Sequence, residues 1–142
     1  MTDRVFLDTN ILFYLFDYRS PEKQRVAGEL VQRFADERQT LVISTQVLQE
    51  AYASLTRKLD FDGAEAQSVL QEIVESGFLV KALDVPLIWR GATRSIQDKI
   101  SFWDGLIVES AVTAHCSVLY TEDLQHGRKF DGLGVVNPFA GA

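Results

Sequence analysis

Val5-Phe6-Leu7-Asp8-Thr9-Asn10-Ile11 opens the chain with three apolar residues, one acid, and a return to apolar side chains at Ile11. The unbroken run at Val5 to Leu7 predicts a buried strand ending at Asp8. Ile11 to Phe16 then predicts a short helix, with Thr9 or Asn10 able to cap it. Two later stretches repeat the pattern. Leu41-Val42-Ile43 predicts a second strand, followed by a Ser44-Thr45 cap and a helix whose core face is Val47, Leu48, Ala51 and Leu55. Val118-Leu119-Tyr120 predicts another strand, which runs into Thr121-Glu122-Asp123.

The remaining segments alternate in the same way. Pro21 suits the first turn of a helix with Val26, Leu30, Val31 and Phe34 on one face. Gly63 to Glu75 predicts a helix with Ala66, Val69, Leu70 and Ile73 inward. Phe78-Leu79-Val80 predicts a strand, Pro86 opens a helix through Ile96, and Ser101 starts another that carries Leu106, Ile107, Ser110 and Ala111 to the core. Val135-Val136 predicts a last short strand closed by Pro138. Short apolar strands alternating with helices define an α/β fold: a single domain with a central, mainly parallel sheet covered by helices on both faces. In such sheets ligands bind at the carboxyl ends of the strands.

The 142 residues suit one domain, taken as residues 1–142. A hydrophobic content of 46% with 24% charged residues is globular composition and excludes a disordered chain. No apolar stretch approaches the ~20 residues that span a bilayer. Met1-Thr2-Asp3-Arg4 does not resemble a secretory signal, so the expectation is a cytoplasmic protein. Cys116 is the one cysteine, which excludes an intrachain disulfide and a cysteine-rich zinc site. His115 and His126 are not spaced as a zinc pair, and there is no Gly-rich phosphate loop, serine elbow or H-E-x-x-H. A net charge of -6 argues against nucleic acid as a ligand, unless carboxylates hold cations that reverse the local charge.

Four acids fit that exception. Asp8 and Asp123 follow strands that, if central and parallel, end on one sheet edge. Glu50 lies about a turn and a half into the helix after Leu41 to Ile43, and Asp104 lies in the first turn of its helix, where the dipole favours an anion. Singly, each has another use. Asp8 can cap a helix, Glu50 can be solvated, Asp104 can complete a capping box with Ser101, and Asp123 can serve a turn. Together they demand protons or metal, because two carboxylates ~5 Å apart repel by roughly 3 kcal/mol at an effective dielectric of about 20. A set of oxygen ligands without Cys or His suits Mg²⁺ or Mn²⁺.

These motifs resemble those of the PIN-domain family. Val5 to Ile11 is similar to its opening strand and Asp-Thr/Ser-Asn. Phe102-Trp103-Asp104-Gly105-Leu106-Ile107-Val108 resembles its third acidic motif, and Leu119 to Leu124 its last. Glu50, within Ser44 to Glu50, matches the helix that carries the family's glutamate. The resemblance implies a metal-dependent endoribonuclease with Asp8, Glu50, Asp104 and Asp123 as catalytic metal ligands for Mg²⁺ or Mn²⁺. Thr9, Asn10 and Thr121 would support the acids through hydrogen bonds. Glu122 departs from the motif as an extra acid beside Asp123. Size and layout look most like VapC-type toxins of bacterial toxin–antitoxin pairs, which implies an RNA substrate, a cognate antitoxin protein and a homodimer.

Arg128 and Lys129 follow the last motif and are candidates for contact with substrate phosphate. Arg57-Lys58 reads as a solvated helix face, and the apolar neighbours of Trp103 place it in the core rather than in a base-stacking role. Competing functions are a housekeeping PIN nuclease and an inactive PIN-fold module that docks a basic peptide. Haloacid dehalogenase-like phosphatases need a second acid where Thr9-Asn10 stands, and receiver domains need paired N-terminal acids, so neither fits.

Overall fold

The computed structural model describes residues 3–140; Met1 and Thr2 of the N-terminal reading, and Gly141 and Ala142, lie outside the described residues. Six strands form one sheet in the order β3-β2-β1-β4-β6-β5. β1 (Arg4–Leu7) lies between β2 (Thr40–Ser44) and β4 (Val118–Tyr120) and is parallel to both. β3 (Leu79–Lys81) and β6 (Leu133–Val136) extend the parallel set on either side. Val5, Phe6 and Leu7 are buried without alternation, as are Val42 and Ile43. A central strand shielded on both faces has that pattern, which explains why these segments are unbroken apolar runs.

The helices are α1 (Thr9–Tyr14), α2 (Pro21–Asp36), α3 (Thr45–Lys58), α4 (Gly63–Glu75), α5 (Val85–Asp98) and α6 (Phe102–Thr113). Their starts follow local chemistry. Pro21 occupies the first turn of α2. Ser44 caps α3 by accepting from Val47 N at 3.3 Å, and Asp62 and Glu65 form a reciprocal capping box on α4. Ser101 caps α6 by accepting from Asp104 N at 3.0 Å. At the start of α1 the cap is neither Thr9 nor Asn10 but Asp8, in the capping use open to that acid. The Asp8 backbone is extended, and its Oδ1 accepts from Thr9 N at 2.7 Å.

α5 and α6 touch at backbone distance. A Cβ on Gly105 would lie 2.5 Å from the Gly91 carbonyl oxygen, and one on Gly91 would lie 2.7 Å from Leu106 Cδ2. The two glycines therefore set how closely α6, and with it Asp104, approaches α5. One strand was not expected from the sequence. β5 (Lys129–Phe130) pairs antiparallel with β6 through the turn Asp131-Gly132. Both turn residues have positive φ, 49° and 88°, as a two-residue hairpin of this hand requires.

Candidate metal centre and cleft

β1 and β4 are parallel neighbours, with Leu7 opposite Tyr120. The residues that follow them therefore emerge side by side at one sheet edge. Asp8 N completes the ladder by donating to the Tyr120 carbonyl at 3.0 Å. Three residues beyond Tyr120, Asp123 turns back over the same edge. Asp104 arrives from the first turn of α6. Carboxylate oxygens of Asp8, Asp104 and Asp123 all lie within 4.8 Å of one another. Three acids from three elements thus meet where the sequence placed them. Glu50 stands outside this trio, on the wall of the adjoining cleft.

Short polar side chains hold the acids in place. The Thr121 hydroxyl, fully buried, donates to Asp8 Oδ2 at 2.7 Å and accepts from Asp123 N at 3.0 Å. Asn10 Nδ2 donates to Asp123 Oδ2 at 3.0 Å. The Thr9 hydroxyl donates to Glu50 Oε1 at 2.7 Å. The structure thus brings Thr9, Asn10 and Thr121, all singled out from the sequence, into contact with the acids.

Burial makes the cluster electrostatically expensive. Asp8 is 4% exposed. Its pKa is pushed up to about 7, chiefly by burial; the hydrogen bonds from Thr121 and Thr9 oppose the rise, and the charges of Asp123 and Asp104 add to it. Burial likewise raises Asp104, with the Ser101 hydroxyl opposing and Asp123 and Glu50 reinforcing. Near neutral pH such a site takes up protons or a cation. The donor set fits a hard divalent ion, since every candidate ligand is a carboxylate oxygen. Asn10 presents its Nδ2 to Asp123, and its Oδ1 is buried with no hydrogen-bond partner among the described residues.

Glu122 is removed from this set by its neighbours. Its Oε1 accepts from the Tyr14 hydroxyl at 2.5 Å and its Oε2 from Lys23 Nζ at 2.9 Å. The ammonium of Lys23 also lies over the Tyr14 and Phe139 rings. Adjacent acids therefore serve different partners.

Glu50 and Asp123 line a cleft of about 780 Å³, whose wall follows α3 from Gln46 to Lys58. Among the described residues, the basic side chains lining it are Arg57 and Lys58, where the sequence alone suggests a solvated helix face. Their signal was spacing: Arg57 is seven residues after Glu50, two turns along the same helix face. Arg128 and Lys129 are not among the lining residues. Arg128 donates to the Asp98 carbonyl at 2.7 Å and stacks on the Phe130 ring, and Lys129 belongs to edge strand β5. The expectation for Trp103 is corrected. It is 61% exposed and lines the cleft. Its apolar neighbours Leu106 and Ile107 lie on the inward face of α6, and the first turn carries Trp103 outside it.

The family model of the PIN domain matches residues 5–130. No curated protein matches the chain in sequence. Several solved structures share its fold. A toxin–antitoxin complex from Klebsiella pneumoniae aligns over 95% of this chain and 98% of that one, with 20% identity and a TM-score of 0.69. DNA-bound VapBC from Salmonella typhimurium aligns over 95% and 97%, with 16% identity and a TM-score of 0.66. VapC20 from Mycobacterium tuberculosis, a sarcin-ricin loop cleaving toxin, aligns over 81% and 86%, with 16% identity and a TM-score of 0.61. At these identities the likeness establishes the architecture.

Proposed function

Because the chain belongs to the PIN-domain family, we propose that it is a Mg²⁺- or Mn²⁺-dependent endoribonuclease, one nuclease domain over residues 1–142, and the toxin of a toxin–antitoxin pair. The observation that carries this reading is the meeting of Asp8, Asp104 and Asp123 within 4.8 Å at one sheet edge. The structural relatives add the toxin role, since they include toxin–antitoxin complexes and a toxin described as cleaving the sarcin-ricin loop.

In this reading Asp8, Asp104 and Asp123 hold the cation, and Glu50 completes the ligand set from the cleft wall. A divalent ion bound there supplies positive charge that lowers the pKa of water and offsets charge developing on phosphate oxygens. Thr121 and Thr9 fix both oxygens of Asp8, and Asn10 fixes Asp123, so little reorganisation accompanies reaction. Water attacks phosphorus and the bond to the 3′ oxygen breaks. The products carry a 5′-phosphate and a 3′-hydroxyl, and the 2′-hydroxyl takes no part as nucleophile.

The test is cleavage of an unstructured oligoribonucleotide with Mg²⁺ or Mn²⁺ and with chelator, followed by mapping of the product ends. Metal-dependent 5′-phosphate ends support the reading. A 2′,3′-cyclic phosphate, or cleavage that survives chelation and Asp8→Asn, rules it out. The antitoxin and the homodimer are parts of the same proposal. They are tested by co-purification with the product of a neighbouring gene and by sedimentation of the isolated chain.

A further inference from the structure

Among the arginines, most are committed to protein partners. Arg19, Arg25, Arg90 and Arg94 form ion pairs. Arg4, Arg33 and Arg128 donate to Ala114 O, the Tyr120 hydroxyl and Asp98 O. Arg38 lies in the turn before β2, at the sheet edge opposite the acids. Arg57 is different: its side chain makes no hydrogen bond or ion pair among the described residues, yet it lines the same cleft as Glu50 and Asp123. Among the described residues, Lys58 beside it is held only over the Phe13 ring, 5.5 Å from the centroid. The negative end of the α3 dipole favours cations in that last turn. The dipole does not dictate that they line this cleft, in a chain of net charge -6.

The other end of the cleft is apolar and planar. Trp103 is 61% exposed, directly before Asp104. Its backbone is anchored, because Gln46 Nε2 donates to the Trp103 carbonyl at 3.2 Å, and its ring packs edge-on against Phe102 at 5.2 Å. The order of lining residues along α3 is therefore Gln46, bonded to Trp103, then Glu50, with Asp123 on the same cleft, then Arg57 and Lys58. Glu50 and Arg57 are separated by seven residues, a rise of about 10 Å along α3. A phosphodiester bound at the acids would leave a neighbouring phosphate within reach of Arg57, and a base on the opposite side over Trp103.

We propose that this cleft is a track for unpaired RNA, in which Arg57 and Lys58 hold a backbone phosphate on one side of the scissile bond and Trp103 stacks a base on the other. The proposal rests on the nuclease reading and deepens it by assigning the residues, Arg57, Lys58 and Trp103, that grip the strand on either side of the acids. A guanidinium suits a phosphate through paired hydrogen bonds. An exposed indole gives stacking that tolerates any base but requires that base to be unpaired. A duplex meets neither condition, because its bases are stacked on one another.

The experiment uses the full chain, a 5′-labelled unstructured oligoribonucleotide, the same strand annealed to its complement, and Ca²⁺ in place of Mg²⁺ to slow cleavage. Affinity is read by anisotropy over a range of salt. Arg57→Gln should weaken single-strand binding and lower the slope of log Kd against log salt by about 0.7, the value for one phosphate contact on a single strand. Trp103→Leu should weaken binding about 5- to 100-fold and leave that slope unchanged, with Trp103→Phe restoring most of the loss. In a Trp89→Phe background the one remaining tryptophan should be quenched by the single strand and not by the duplex. The metal-induced thermal shift should be the same in all these variants, since none is placed as a ligand. An unchanged salt slope in Arg57→Gln, unchanged affinity in Trp103→Leu, or equal binding of duplex overturns the proposal. So does a Trp103→Leu variant whose only change is its sedimentation mass, which would assign the indole to a subunit contact. If the unmutated chain shows neither metal shift nor cleavage, the nuclease reading itself fails. If it shows both while the variants behave like it, only the track fails.

Discussion

The Thr121 hydroxyl donates to Asp8 Oδ2 at 2.7 Å, joining two residues 113 positions apart in the chain. The bond exists because β1 and β4 are parallel neighbours ending in register. It stabilises the charged form of a carboxylate that burial pushes toward neutrality. Thr121→Val removes this donor and leaves Asp123 N without its acceptor. The expected outcome is a pKa for Asp8 above about 7, and metal binding at pH 7 weakened about tenfold. Hydrogen bonds to charged groups are worth roughly 1.5–3 kcal/mol. Calorimetric titration with Mn²⁺ from pH 6 to pH 9 checks this. The curve for the variant should shift to higher pH and converge with the unmutated protein at the alkaline end.

Asp8 also sets a pH dependence of the metal-free protein. Its folded pKa, about 7, lies above the ordinary 3.8. Folding therefore favours the protonated form, and this contribution is fully present below about pH 4 and lost as pH rises through 7. Asp8→Asn should remove that decline, so the variant gains on the unmutated protein between pH 5 and 8, by about 1–3 kcal/mol. Mg²⁺ at about 100 times its Kd should restore roughly 2.7 kcal/mol to the unmutated protein and little to the variant. Paired thermal melts across this range give the comparison. Parallel curves with no metal response would contradict it.

Glu122 and Asp123 are neighbours with opposite expectations. Glu122→Gln should leave Mn²⁺ affinity within about twofold, because both its oxygens are already engaged by Tyr14 and Lys23. Its stability cost should stay near the 0–1 kcal/mol of a partly exposed ion pair. Asp123→Asn should weaken the metal at least tenfold while keeping the Asn10 contact through its carbonyl. Metal titration of the two variants side by side separates a ligand from its neighbour.

Most of this arrangement was legible in the sequence, for a physical reason. A strand buried on both faces has to be an unbroken apolar run, so Val5 to Leu7, Leu41 to Ile43 and Val118 to Tyr120 announced the parallel core and the edge where Asp8 and Asp123 emerge. Helix bounds were equally plain where a cap is a local event, as at Ser44 and Ser101. What escaped depends on partners distant in sequence. Trp103 has apolar neighbours, but which of them face inward is decided by the packing of α6 on α5. Arg57 looks like any solvated arginine until the cleft it lines is seen. β5 is two residues long and was signalled only by Asp131-Gly132, a hairpin turn between Phe130 and Leu133.

The contact between α5 and α6 carries its own expectation. Gly105→Ala places a Cβ 2.5 Å from the Gly91 carbonyl oxygen, backbone that cannot move aside cheaply. Overpacking of this kind costs about 1–3 kcal/mol. The relief available is a shift of α6 away from α5, and Asp104 rides on the first turn of α6, next to the substitution. Gly105→Ala should therefore lower the urea midpoint and also weaken Mn²⁺ binding several-fold. Gly28→Ala, on α2 with nothing within 4 Å of the added Cβ, is the control. It should leave both measurements unchanged or slightly raise stability.

The toxin reading predicts how the proposed antitoxin holds the enzyme. A depression between α3 and α4, lined by Leu48, Tyr52, Leu70 and Val74, is almost wholly apolar. Gln49 borders both this depression and the acidic cleft, so the two are continuous around α3. An antitoxin segment laying apolar side chains in the depression would pass Gln49 and deliver an Arg or Lys to the acids. There a guanidinium pairs with carboxylates in two hydrogen bonds and stays charged at any working pH. The two parts should separate by mutation. Val74 is 36% exposed, so Val74→Glu should weaken antitoxin binding while leaving RNA cleavage by the free enzyme intact. Replacing the inserted antitoxin cation with Ala should weaken inhibition more than binding, because the apolar contacts remain. In the host, expression of the chain alone should arrest growth, Asp8→Asn should abolish the arrest, and co-expression of the antitoxin should rescue the unmutated chain but rescue Val74→Glu poorly. Healthy growth with soluble, metal-loaded, RNA-cleaving protein verified in the cells would remove the toxin role and leave a housekeeping nuclease.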